Sequence, residues 1–187
     1  MNIGLSAAVG EYLIFLNAGD TLPEPGTLEH LALLVDWGER PDFIYEDALE
    51  RGTGSRLLIK PARSHHFKWY GMFTHHQAMV YRRALVEGQW FDLTWKIGAD
   101  YAYTLDTLSK SVRVARVDAP LVLFEGGGRS QTQAALGRRD QAQIRRSRLN
   151  MSVVSCFLIM IAQYAAISIR RLWPAVFETW RCHRMYE

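Results

Sequence analysis

The stretch EYLIFLNAGD, residues 11 to 20, constrains the fold more than any other part of this sequence. Tyr12 to Leu16 is a continuous apolar run that halts on a small polar turn, Asn17-Ala18-Gly19-Asp20. A short run without polar alternation fits a strand buried on both faces, as in a parallel sheet covered by helices. Open sheets of that kind bind ligands beyond the carboxyl ends of their strands, which is where Asp20 falls. Asp20 is therefore placed to hold a divalent cation bridging to phosphate oxygens. Asn17 offers an amide oxygen, and Gly19 allows close backbone approach. The same residues also serve a plain turn in which Asp20 caps the next segment.

The rest of the chain alternates strand and helix signals. Ser6 to Val9 reads as a helix end closed by Gly10 in the left-handed conformation. Leu28, Leu31, Leu34 and Val35 space a helix over 27–37, stopped by Gly38 and Pro41. Strands are expected at 42–45, 56–59 and 78–81, with an irregular segment rich in His and aromatics over 61–77. A short helix over 82–87 ends at Gly88, and a longer one covers 97–109. Residues 112–124 read as two short strands or an edge strand, because Pro120 interrupts them. From Thr132 the pattern is helical to the end of an arginine cluster, with a break near Gly137. The expected fold class is α/β, a mixed sheet flanked by helices.

At 187 residues, 49% hydrophobic and 22% charged, the chain is neither disordered nor too short for a core. A formal charge of +3 is too weak to argue for nucleic acid. Cys156 and Cys182 give no metal spacing and no disulfide framework, which fits a reducing compartment. Met1 to Gly4 lacks the basic and apolar regions of a signal peptide. The tail differs in kind. Arg145, Arg146 and Arg148 precede the mostly apolar residues 151–169, and Arg170 and Arg171 follow. That length approaches a membrane span of about 20 residues. It suits better a helix lying on a membrane surface, and it also suits one packed on the domain or a partner.

Three further groups carry chemistry. Asp100 opens an apolar-periodic helix, as an acid stabilised by the helix dipole or as a base aimed into a cleft. Of His75-His76-Gln77 at most one imidazole belongs to a site, since neighbouring strand side chains point to opposite faces. His76 is preferred because Gln77 then leads into a strand, whereas His65 and His66 read as loop surface. Gly126-Gly127-Gly128-Arg129-Ser130 binds phosphate through backbone N–H groups or acts as a hinge. It lacks the context of a P-loop.

The order of four blocks is more specific than any one: MNIGLSAAVGEYLIFLNAGD, THHQAMVYRRAL, FDLTWKIGADYAYTLDTL and FEGGGRS. Together they resemble the family 2 glycosyltransferases, above all bacterial enzymes that build exopolysaccharide and lipopolysaccharide, from Met1 to about Ser130. The resemblance implies a partial GT-A domain over 1–131 and a helical tail over 132–187. It also implies inverting transfer of a sugar from a nucleotide-sugar donor to a glycan or lipid-linked acceptor, at the cytoplasmic, inner face of the cell membrane. Asp20 matches the metal-binding turn, although only one acid of that turn is kept, and would hold Mg²⁺ or Mn²⁺. Asp100 matches the catalytic base. His76 and Gln77 match a stretch near the acceptor and pyrophosphate, with Asn17 and Gly19 beside the donor. Gly127, Gly128 and Ser130 match a loop that closes near the donor phosphates. In the family the first βαβ units, which bind nucleobase and ribose, precede the motif in which Met1 stands. An inactive remnant that binds at a membrane is the alternative. A metal-dependent hydrolase using Asp20, His76 and Asp100 is a third reading.

Overall fold

The computed structural model describes residues 1–37, 40–51, 57–125 and 132–172. The chain is a mixed α/β protein. Among the described residues the five strands are β1 (Tyr12–Ile14), β2 (Phe43–Arg51), β3 (Leu57–Lys60), β4 (Met79–Arg82) and β5 (Val114–Phe124). β4 pairs antiparallel with both β1 and β2, β3 pairs antiparallel with the second half of β2, and β5 runs parallel to β2. The helices are α1 (Asn2–Ala7), α2 (Thr27–Trp37), α3 (Arg83–Val86), α4 (Ala99–Lys110), α5 (Ala134–Arg148) and α6 (Val153–Leu172).

The strand pattern places successive side chains on opposite faces and builds two cores. On one face Ile44, Ala48, Val80, Leu121 and Val122 meet Leu31 and Val35 of α2. On the other, Phe43, Tyr45, Tyr81 and Phe91 meet Tyr103 and Leu108 of α4. A third cluster joins Tyr101, Ala102 and Leu105 of α4 to Ile144 of α5, so α5 shares a core with the sheet's own helix. Arg145 is fully buried there and donates to the Tyr70 carbonyl at 2.7 Å. Asn2 clamps Phe91 in both directions, donating to its carbonyl at 3.0 Å and accepting from its N–H at 2.9 Å.

Several expectations are corrected. The opening strand is short, half-buried and antiparallel to its neighbour, not buried in a parallel sheet. The apolar run outlasts the strand because Phe15 leaves the ladder and turns its ring among His76, Tyr81, Phe91 and Tyr103. Helix α1 ends at Ala7, where Ala8 is extended (φ −72°, ψ 129°), and Gly10 is not left-handed. The chain is caught instead by Arg83, whose Nε donates to the Gly10 carbonyl at 2.7 Å. β2 continues through Glu46 and Asp47, because Asp47 Oδ1 accepts from the Ala62 N–H at 2.7 Å inside the protein. β5 is one strand, with Pro120 opposite Asp47 where the register slips. α5 runs unbroken through Gly137.

Helix α6 buries Cys156 and Ile159 and leaves Val153, Val154, Phe157, Leu158, Ile161 and Ile169 exposed. Among the described residues, no helix is long and apolar enough to cross a membrane.

Candidate functional site

The turn after β1 is built by Gly19, at φ +95°, and by the Asp20 N–H donating to the Asn17 carbonyl at 3.1 Å. Left-handed backbone of this kind favours glycine, which explains the residue. Thr21 then bridges Leu123 of β5. Asp20 ties three segments together. Its Oδ2 accepts from Gln77 Nε2 at 2.8 Å and its Oδ1 from the Glu125 N–H at 3.0 Å. Asn17 is exposed beside it. Each carboxylate oxygen retains a lone pair, which fits the magnesium mode of one carboxylate completed by phosphate oxygens and water. Among the described residues, no three His, Cys, Asp or Glu side chains gather as a metal site, so Asp20, His76 and Asp100 form no shared ligand set.

His76 lies in the aromatic core. Its ring stacks on Phe15 with centroids 5.2 Å apart, and its Nδ1 stands 3.2 Å from the Tyr81 hydroxyl. Burial pushes its pKa down to about 4, so the imidazole is neutral at ordinary pH. His75 turns the other way, stacking on Phe124 with its Nε2 2.8 Å from Glu50 Oε1 and 3.0 Å from Lys60 Nζ. Burial lowers its pKa too, against the pull of Glu50. His65 meets the Tyr45 hydroxyl at 3.2 Å, and His66 is exposed.

Asp100 stands in the first turn of α4, half-buried, with Oδ1 accepting from the Tyr101 N–H at 2.7 Å. Desolvation raises its pKa to about 6, against the opposing pull of backbone N–H groups. Burial raises the pKa of the Tyr81 hydroxyl, which contacts Thr104 Oγ1 at 3.2 Å. The 76–77 turn thus ties two parts of the site: Gln77 bonds Asp20, and His76 meets the hydroxyl of Tyr81 in the aromatic core. Gly127, Gly128 and Ser130 lie outside the described residues, as do Gly126 and Arg129.

Sequence reasoning missed Glu50, Lys60, Glu125 and Asp140 as residues of this site. Asp140 accepts from the Ile97 and Gly98 N–H groups, at 2.9 and 3.1 Å, just ahead of Asp100. Glu125 lies in the FEGGGRS block, whereas Glu50, Lys60 and Asp140 sit in no motif. For Glu50 and Lys60 the spacing across a hairpin was the one available signal.

No family model matches the chain. It is 27% identical, over 202 aligned residues, to the PGL/p-HBAD biosynthesis glycosyltransferase of Mycobacterium bovis (strain BCG / Pasteur 1173P2). The identity to that of Mycobacterium tuberculosis (strain ATCC 25177 / H37Ra) is the same; each alignment covers 98% of this chain and 71% of the relative. Among solved structures it is similar to S. aureus TarS 1–349 in complex with UDP, with TM-score 0.54 and 17% identity. That match covers 84% of this chain and 47% of that one. A longer S. aureus TarS chain gives TM-score 0.55 at 16% identity, over 85% of this chain and 29% of the other. This chain therefore spans less than half of either TarS chain, and the likeness is one of fold. By sequence the chain is a relative of glycosyltransferases, and by structure it has a mixed α/β fold like that of TarS.

Proposed function

We propose that this chain is a family 2 glycosyltransferase of GT-A type, or the acceptor-side part of one. It moves a sugar from a nucleotide-sugar donor to a hydroxyl of a glycan or lipid-linked acceptor, with inversion, in cell-surface glycan or glycolipid synthesis. The observation that carries the reading is Asp100, a half-buried carboxyl with its pKa raised to about 6 at the start of α4. That value suits a general base working near neutral pH. The likeness to named glycosyltransferases and to a UDP-bound fold supports the choice of donor.

In this reading the acceptor O–H gives its proton to Asp100 as its oxygen attacks the anomeric carbon. The bond from that carbon to the phosphate oxygen breaks, and the nucleoside diphosphate leaves from the opposite face. Asp20 and Asn17 line the donor's diphosphate, and Gln77 holds Asp20 in place. A Mg²⁺ or Mn²⁺ held by Asp20 would neutralise charge on the leaving group. The resemblance assigns Gly127, Gly128 and Ser130 to the donor phosphates, and they follow in sequence Glu125, whose N–H is tied to Asp20. The exposed apolar row of α6, with Arg146 and Arg148 before it, supports the reading of a helix that lies on an anionic membrane surface, at the inner face of the cell membrane.

Calorimetric titration with UDP, GDP and dTDP, with and without Mn²⁺, tests the donor side. Binding of one nucleotide, strengthened by the metal and weakened at least about tenfold in Asp20→Ala, is expected for one lost charged contact. A folded chain that binds none of the three rules out a donor site in these residues.

A further inference from the structure

The segment that delivers Asp100 does not hold itself in place. Ile97 and Gly98 precede α4, and their N–H groups both donate to Oδ2 of Asp140, at 2.9 and 3.1 Å. Asp140 sits on α5 and is buried. The backbones there are in close contact. A Cβ on Gly98 would stand 2.8 Å from Ile144 Cδ1 and 2.9 Å from Asp140 Cβ. A Cβ on Gly137 would stand 3.1 Å from Ile97 Cγ2. Glycine is thus required on the loop and favoured on the helix by the same approach. Helix α5 has its own anchorage, through Arg145 to the Tyr70 carbonyl and through Gln163 of α6 to the same oxygen, both at 2.7 Å. Asp140 therefore transmits the position of an independently fixed helix to the residue before Ala99.

We propose that Asp140 is a positioning residue for Asp100, and that the helical pair α5–α6 is a working part of the transfer site rather than an appendage. This rests on the reading of Asp100 as the base. Asp140 touches no substrate; it fixes where the loop 97–98 ends and α4 begins. A shift of about 1 Å at a base costs on the order of 10² in rate, so the two bonds matter to turnover more than to nucleotide affinity.

The test uses the full chain and the variants Asp140→Ala and Asp140→Asn. Amide hydrogen exchange over 97–101 is read beside kcat and KM for sugar transfer. The alanine variant is expected to exchange at least about tenfold faster over 97–101, with protection in β2 and β4 unchanged. Its kcat should fall on the order of 10- to 100-fold at constant donor KM. The asparagine variant retains a carbonyl oxygen able to accept both bonds and should restore exchange and kcat to within about threefold. Unchanged exchange in Asp140→Ala overturns the proposal. So does loss of kcat in Asp140→Asn equal to that in Asp140→Ala, since charge and not position would then be what counts. A wild-type chain that binds nucleotide yet transfers no sugar overturns the function assigned to Asp100, while the exchange data still decide whether Asp140 holds the loop.

Discussion

Asp100 and Glu46 are carboxyls whose folded states favour the proton. Asp100 is raised from 3.8 to about 6 by desolvation, and Glu46, buried in β2, from 4.5 to about 7 by desolvation and then by the neighbouring Asp47. A base must be ionised, so kcat/KM for transfer is expected to climb with pH through about 6. Asp100→Asn should remove the climb and lower kcat on the order of 10²- to 10⁴-fold. Stability runs the other way. A carboxyl with a raised folded pKa stabilises fully below its unfolded value and loses that contribution as pH rises through its folded value. For Glu46 the window runs from 4.5 to about 7. Glu46→Gln should flatten the pH dependence of urea midpoints across that range and gain about 2 kcal/mol at pH 8. The places of Asp20 and Asp100 were legible in the sequence, because one follows an apolar strand run and the other opens an apolar-periodic helix. That Gln77 bonds Asp20 was not legible, since the motif sets Gln77 only near the acceptor and pyrophosphate. Which of His75 and His76 faces the core followed from no rule of alternation, since His76–Ala78 forms a 3₁₀ turn rather than strand.

At the scale of elements, helices were easier to read than strands. α2 matched its expected bounds of 27–37, because its Leu and Val spacing is set locally. β2 outran its expected end because a buried Asp47 found a backbone donor far along the chain, which no local pattern records. β5 absorbed Pro120 in a bulge against β2, again a property of the partner strand. The close approach of α5 to the loop before α4 yields a stability prediction. Gly98→Ala should cost about 1–3 kcal/mol in urea unfolding, because its Cβ meets Asp140 Cβ, which cannot swing aside. The outer row of α6 yields another. Phe157→Glu with Leu158→Glu, both exposed, should abolish co-sedimentation with anionic phospholipid vesicles. The same pair should shift stability by less than about 1 kcal/mol. Retained co-sedimentation would count against the membrane face.

At the scale of the molecule, the mixed α/β class was legible from the alternation of elements, but the strand directions were not. Direction depends on which strands become neighbours, and β4 entered antiparallel between β1 and β2. The parallel pairing of β2 with β5 has a kinetic consequence. Loop closure must be completed before such distant strands gain from pairing, so topology of this kind folds slowly. Asn2 and Phe91, which clamp each other, are likewise far apart in the sequence. During synthesis at roughly 5–20 residues per second, β2 emerges several seconds before the strand that completes it. A chain ended after Val112, which lacks β5, is expected to show no cooperative thermal transition by circular dichroism, whereas the full chain melts in one. The nascent protein therefore carries an open, aromatic-rich sheet until Phe124 has left the ribosome. Chaperone capture in that interval, more than the final stability, would then set how much of it survives to fold.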